Sequence, residues 1–199
     1  MNFTADVKQV AKEYQEAGID AMSVLTDKEF FGGDNNDLQL VAEIIKIPLL
    51  RKEFIVDEYQ IIESKSIGAS AILLIATILN TEEVDKLSVL AFSLGMEVLF
   101  EIHDEKDLDK MNHKINIIGV NNRNLKTFEV KINNSLELFS QLPKNCIKVV
   151  ESGVQSTDDV KRLFTAGYDA FLIGERFMRS ENPGKVAADF IRDLKKQMK

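Results

Sequence analysis

"AGIDAMSVLT" (residues 17–26) decides the fold, because its plan returns near the other end of the chain as "AGYDAFLIGE" (166–175). Each stretch holds a helix end, a glycine, a short turn and an apolar strand. Glycine suits the left-handed residue that reverses a chain at a helix C-terminus. "IGASAILLIA" (67–76) and "LGMEVLFEI" (94–102) repeat the plan. The unit is a helix followed by a strand, used over and over.

Working outward, Val7, Val10, Ala11, Tyr14 and Ala17 recur at helical spacing, with Gly18 placed to end the helix and Thr4 placed to cap it. The strands then read "AMSVL" (21–25), "PLL" running to Lys52, "AILLIAT" (71–77), "EVLFEI" (97–102), "NIIGVN" (116–121), "IKVVES" (147–152) and "AFLIGE" (170–175). Between them lie helical patterns such as "TEEVDKLSVLAFSLG" (81–95) and "STDDVKRLFTAG" (156–167). A last helix runs from about Pro183 to the C-terminus.

Strands alternating with helices imply right-handed crossovers and a parallel sheet. Such an α/β chain is an open doubly wound sheet or a closed (β/α)8 TIM-type barrel. No GxGxxG or GxxxxGK[ST] follows any strand, which removes the main nucleotide-binding fingerprints. Polar residues stand instead at the C-terminal ends of nearly all strands. That distribution favours the barrel, whose active site is built from those ends, over an open sheet with one switch point. Seven strands are read, after a leading helix, where a barrel has eight. The expectation is one domain over residues 1–199 from which the first strand is missing.

Composition narrows the function classes. The 199 residues are 45% hydrophobic and 29% charged, enough for one globular core. No apolar run is long enough to span a membrane. A net charge of −7 disfavours nucleic acid as a partner. The single cysteine, Cys146, excludes an internal disulfide framework and fits a reducing, cytoplasmic setting. His103 and His113 lack metal-site spacing, so no metal is expected.

The strand ends carry Thr26-Asp27, Arg51-Lys52-Glu53, Thr77, Glu101 with His103, Asn121-Asn122-Arg123, Glu151-Ser152-Gly153 and Gly174-Glu175. Any one of these reads most simply as a solvated rim residue. Barrel closure would bring them all to one mouth. There a partly buried Lys52 ammonium can serve as a general acid on a carbonyl, or merely pair with Glu101. Glu101 follows apolar residues that disfavour its charged form, which helps proton transfer. Phosphate often binds after the last two barrel strands. Gly153 and Gly174 would let an anion reach the backbone there, with "ERFMRS" (175–180), beginning at Glu175, as the short extra helix.

"SVLTDKEFFGG" (23–33), "PLLRKEFIVDEYQI" (48–61), "EVLFEIHDE" (97–105), "IIGVNNRNLKTFEV" (117–130), "VVESGV" (149–154) and "AFLIGERFM" (170–178) together resemble indole-3-glycerol phosphate synthase. The resemblance runs from about the first helix to the C-terminus. It implies a cofactor-free carboxy-lyase of tryptophan biosynthesis. Such enzymes convert 1-(2-carboxyphenylamino)-1-deoxyribulose 5-phosphate to indole-3-glycerol phosphate, carbon dioxide and water. By match, Lys52 would be the general acid that protonates the ketone oxygen, and Glu101 the general base for dehydration. Phe54 would form an apolar wall of the pocket. Asn121 and Glu151 would hold substrate hydroxyls, with Ser152 beside them and Leu125 packed on the aromatic ring. Gly153, Gly174 and the Glu175 turn would cradle the phosphate.

Two departures accompany the match. Glu53 stands where the family usually has Asp. Family members also carry a further N-terminal segment and a first strand ending in Glu-x-Lys, followed by Ser-Pro-Ser. This sequence starts beyond those elements. Low turnover and self-association through unpaired strand edges are therefore expected of it. The competing readings are another phosphate-binding barrel enzyme, such as a sugar-phosphate isomerase, and a remnant that only binds ligands or a partner.

Overall fold

A computed structural model describes residues 5–124, 127 and 129–198. The order is α1 (Val7–Ala17), β1 (Met22–Leu25), α2 (Asn35–Ala42), β2 (Leu49–Lys52), α3 (Glu58–Ser66), β3 (Ala71–Ile75), α4 (Thr81–Ser93), β4 (Glu97–Ile102), β5 (Ile117–Asn121), α5 (Asn133–Leu138), β6 (Ile147–Glu151), α6 (Thr157–Ala166), β7 (Ala170–Leu172), α7 (Glu175–Met178) and α8 (Pro183–Gln197). A 3₁₀ turn, Glu105–Lys110, joins β4 to β5. Thr4 lies outside the described residues. The side chain of Asp6 caps α1 by accepting from the Gln9 N–H. The glycines of the repeated joint do what the repeat requires: Gly18, Gly68, Gly95 and Gly167 all take positive φ at or just beyond helix ends.

Among the described residues the sheet has seven strands in the order β1-β2-β3-β4-β5-β6-β7, every pair parallel. The order never reverses, so there is no switch point of the doubly wound kind. The sheet curls instead. Lys52 on β2 reaches Glu151 on β6 at 2.8 Å. In a flat sheet those strands would stand about 19 Å apart, at about 4.8 Å per step. One apolar cluster likewise gathers Leu50, Leu73, Leu99, Ile117, Val149 and Leu172 from β2 through β7. This is the filling of a TIM-type barrel. β1 and β7 remain the two sheet edges.

A second, larger cluster lies between the strands and the helices. With both faces covered, the strands read as nearly continuous apolar runs; in β3, Ile72, Leu73, Leu74 and Ile75 are all buried. Outside the open seam of the sheet, α1 packs against α8. Tyr14 of α1 meets Phe177 of α7 edge to face, and Phe177 does the same with Phe190 of α8. No helix among the described residues is long and apolar enough to cross a membrane.

Two strand readings run long. "AILLIAT" leaves the ladder after Ile75, and "AFLIGE" leaves it after Leu172, so Glu175 opens α7 rather than closing a strand. Apolar residues, Ala76 and Ile173, follow the strand at both places, and sequence alone does not mark where the strand stops.

Candidate active site

The site grows from the alternation of β2. Successive strand residues face opposite sides, so Leu49 and Arg51 turn toward the helices while Leu50 and Lys52 turn into the barrel. The buried Arg51 guanidinium donates to Thr26 Oγ1, the Gln60 carbonyl, Ser64 Oγ, Asn35 Oδ1 and Glu63 Oε2. It ties β2 to the helical layer. Lys52, one residue on, has its side chain 18% exposed and donates to Glu101 Oε2 at 3.0 Å and to Glu151 Oε2 at 2.8 Å. These three side chains come from alternate strands, as one layer of a barrel interior does.

Neighbouring groups fix the carboxylates. Asn121 Nδ2 donates to Glu101 Oε1 at 2.9 Å, and Asn121 Oδ1 accepts from the Arg123 N–H, which sets the side-chain amide's orientation. Glu151 lies against Gly119, where a Cβ would sit 2.0 Å from its Oε1. Only glycine leaves the space that this carboxylate occupies. Asn122, one residue beyond Asn121, faces the other way. It donates to the carbonyls of Glu151 and Ser152 and accepts from Ser135, so it anchors the end of β6.

Burial and charge pull the three groups apart. Burial opposes the charge on Lys52, but attraction to Glu151 and Glu101 outweighs it and holds the ammonium above its usual range. Burial would also raise Glu101, yet Lys52 and the hydrogen bond from Asn121 bring it below the ordinary carboxylate range. Glu151 is pushed up to about 7, by burial first and then by the negative charge of Glu101, against the pull of Lys52. The pair thus holds one firmly ionised carboxylate and one that titrates near neutrality, the separation that acid–base chemistry uses.

A stability effect follows with a definite sign. A carboxyl whose titration is raised binds its proton more tightly in the folded chain than in the unfolded one. Stability therefore falls as pH rises from the ordinary carboxylate range through about 7. Glu151→Gln is expected to remove that slope. Thermal midpoints of the two proteins across the window check it, and parallel curves would assign the titration to another group.

Around this centre, Phe54 stacks on Phe31 at 5.8 Å and meets Phe30 edge to face at 5.6 Å. Both rings lie in the loop after β1, and Phe30 is 73% exposed. They form an apolar rim that the strand-end pattern did not identify, although two adjacent aromatics in a polar loop were a visible signal. Glu53 accepts from Thr26 Oγ1 and from the Phe54 N–H, which holds the turn after Lys52. Ser152 and Gly153 both take positive φ, 63° and 83°. For Ser152 that conformation costs on the order of 1–2 kcal/mol. A Cβ on Gly153 would meet Val130 at 2.7 Å, whereas Gly174 has open space around its Cβ position. The Glu175 carboxylate is taken up by Arg123 and Arg179. What Glu175 can offer an anion is its main-chain N–H, not its side chain. Leu125 lies outside the described residues. Among the described residues, no group of three or more His, Cys, Asp or Glu could hold a metal ion.

Solved structures share the architecture. The 3-hexulose-6-phosphate synthase from Salmonella typhimurium superposes with a TM-score of 0.78 at 14% identity, covering 94% of this chain and 92% of that one. KGPDC from Streptococcus mutans gives 0.74 at 12% identity, covering 96% and 91%. At such identities only the fold is shared. Sequence relatives are far closer. The indole-3-glycerol phosphate synthase of Bacteroides thetaiotaomicron is 44% identical over 187 residues, 94% of this chain and 72% of the relative. That of Acetivibrio thermocellus is 45% identical over 186 residues, 93% of this chain and 72% of the relative. The sequence model described as Indole-3-glycerol phosphate synthase matches residues 1–190, and the chain belongs to that family.

Proposed function

We propose that this chain is a cofactor-free carboxy-lyase that closes the indole ring. It would convert 1-(2-carboxyphenylamino)-1-deoxyribulose 5-phosphate to indole-3-glycerol phosphate with loss of carbon dioxide and water, in tryptophan biosynthesis in the cytoplasm. The observation that carries the reading is the Lys52 ammonium held between Glu101 and Glu151 at the strand ends. Lys52 protonates the ketone oxygen as the ring carbon attacks, while burial and the two carboxylates keep it charged until then. Glu101 is the base of the dehydration step. Asn121 and Glu151 hold hydroxyls, Ser152 lines the site beside them, and the rings of Phe54, Phe31 and Phe30 receive the aromatic part. The phosphate lies on the backbone at Gly153, Gly174 and the Glu175 N–H.

The test is conversion of the substrate, followed by fluorescence of the indole product. Slow turnover by the chain, with binding of the phosphorylated product, is the expected result. Gly174→Asp is expected to weaken product binding tenfold or more, on the order of the repulsion between like charges in a partly desolvated site. Its side chain has room, so the loss reports charge and not collision. Equal weakening toward the dephosphorylated product would move the phosphate elsewhere.

The same reading extends to assembly. β1 and β7 each carry an unpaired edge among the described residues, and such edges invite pairing with another strand. A second copy of this chain is the expected occupant. Light scattering over a range of concentrations should show a rising mass; a constant monomer mass would exclude edge pairing.

A further inference from the structure

Beside the catalytic pair stands a third titratable side chain with no role in the reading above. His103 follows Glu101 by two residues at the end of β4, and its Nε2 lies 3.6 Å from Glu101 Oε1. The imidazole is largely buried, and neither ring nitrogen has a hydrogen-bond partner among the described residues. Buried polar atoms are normally paired, so both ring nitrogens have hydrogen-bonding capacity that no described residue uses. The main chain of His103 is held from two sides. Its N–H donates to Asp107 Oδ2, and its carbonyl accepts from Asn134 Nδ2 of α5. The ring is thus kept next to Glu101 without its own nitrogens being used to hold it.

Glu101 Oε2 is occupied by Lys52, and Oε1 accepts from Asn121. Oε1 is also the oxygen that His103 faces. A side-chain movement of under about 1 Å brings Nε2 to hydrogen-bond distance. We propose that His103 is a positioning residue for Glu101, taking up the proton that Glu101 removes from the substrate and so returning the carboxylate to its charged form. This rests on the reading of Glu101 as the base. One proton moves from Oε1 to Nε2, the carboxyl becomes a carboxylate, the imidazole becomes an imidazolium, and no other bond changes. The charged groups around the pair are Lys52 from β2, Glu151 from β6, and Asp104 and Asp107 from the turn after β4. Lys52 already carries its proton firmly and Glu151 is tied to Lys52 through Oε2, whereas the imidazole faces Glu101 Oε1 directly.

The test has two arms, using His103→Asn as a near-isosteric variant and His103→Ala as an open one. The first arm follows the Glu101 carboxyl carbon by NMR through a pH titration, and needs no turnover. A positive imidazole nearby favours the carboxylate, so Glu101 should titrate at higher pH in His103→Asn. An unchanged midpoint overturns the proposal. The second arm measures kcat and KM across pH, with thermal midpoints alongside. His103→Ala should lose up to about a hundredfold in kcat, the lower end of what a positioned proton carrier contributes, with KM little changed. Added imidazole should restore part of that loss. Wild-type kcat in both variants at every pH overturns the proposal. Full activity in Glu101→Gln would instead remove Glu101 as the base, and the NMR arm would still report whether the two side chains are coupled.

Discussion

Lys52→Met is expected to abolish turnover and to leave a protein that folds best in acid. The first half follows from chemistry. A positioned proton donor contributes about 10²–10⁴-fold, and among the described residues no other ammonium is placed between the two carboxylates. The second half follows from what Lys52 leaves behind. Glu101 and Glu151 are both buried and would face each other without the cation that now bridges them. Two carboxylates sharing a site cannot both ionise cheaply, so one keeps its proton. A carboxyl whose titration is raised in the folded state loses its contribution as pH rises. The variant should therefore match the parent in thermal midpoint under mildly acidic conditions and fall behind as pH increases. Near-normal turnover would remove Lys52 as the general acid. A deficit equal at every pH would mean that the carboxylates do not interact once the lysine is gone.

The neighbouring substitution, Arg51→Ala, should do the reverse. The Arg51 guanidinium is 2% exposed and bonds to groups on β1, α2 and α3 or beside them. Removing one partner of a buried charge network costs about 3–5 kcal/mol. For a chain of this size each kcal/mol lowers the thermal midpoint by about 2–4 °C. A fall on the order of 10 °C or more is expected, with kcat per folded molecule little changed because Arg51 faces away from the barrel interior. Arg51→Lys should recover little, since an ammonium cannot make the forked set of bonds. Calorimetry and active-site titration on the same samples decide it; a midpoint within a few degrees of the parent would show that water replaces the lost donors.

This pair of adjacent cations also shows how far the sequence could be read. Alternation along a strand tells that residues 51 and 52 face opposite ways, but not which of them faces the interior. That is settled by the curl of the sheet, which brings together groups 49 and 99 residues apart. The elements themselves were legible because each unit is local: a glycine past a helix end, then an apolar run. Glu101, Asn121 and Glu151 were legible as strand ends, and family resemblance supplied their roles. Phe30 and Phe31 were not, because their meaning lies in contact with Phe54 across a loop. The N-cap of α1 was misread at Thr4 because two good capping residue types stand close together, and the Gln9 N–H turns to Asp6. The carboxylate of Glu175 is held by Arg123 and Arg179, a pairing with the loop after β5 that no local pattern encodes.

The packing of α1 on α8 has a consequence for synthesis. A chain emerges from the ribosome N-terminus first. The apolar side of α1, with Val7, Ala11 and Tyr14, is therefore made long before the helix that covers it. Loop closure over such a separation adds little penalty to the finished fold, since each doubling of loop length costs only about 0.6 kcal/mol. The delay itself is unavoidable. Throughout elongation the part of α1 that packs on α8 has no cover until residues 183–197 arrive, and α2 can shield only its own share of the helix.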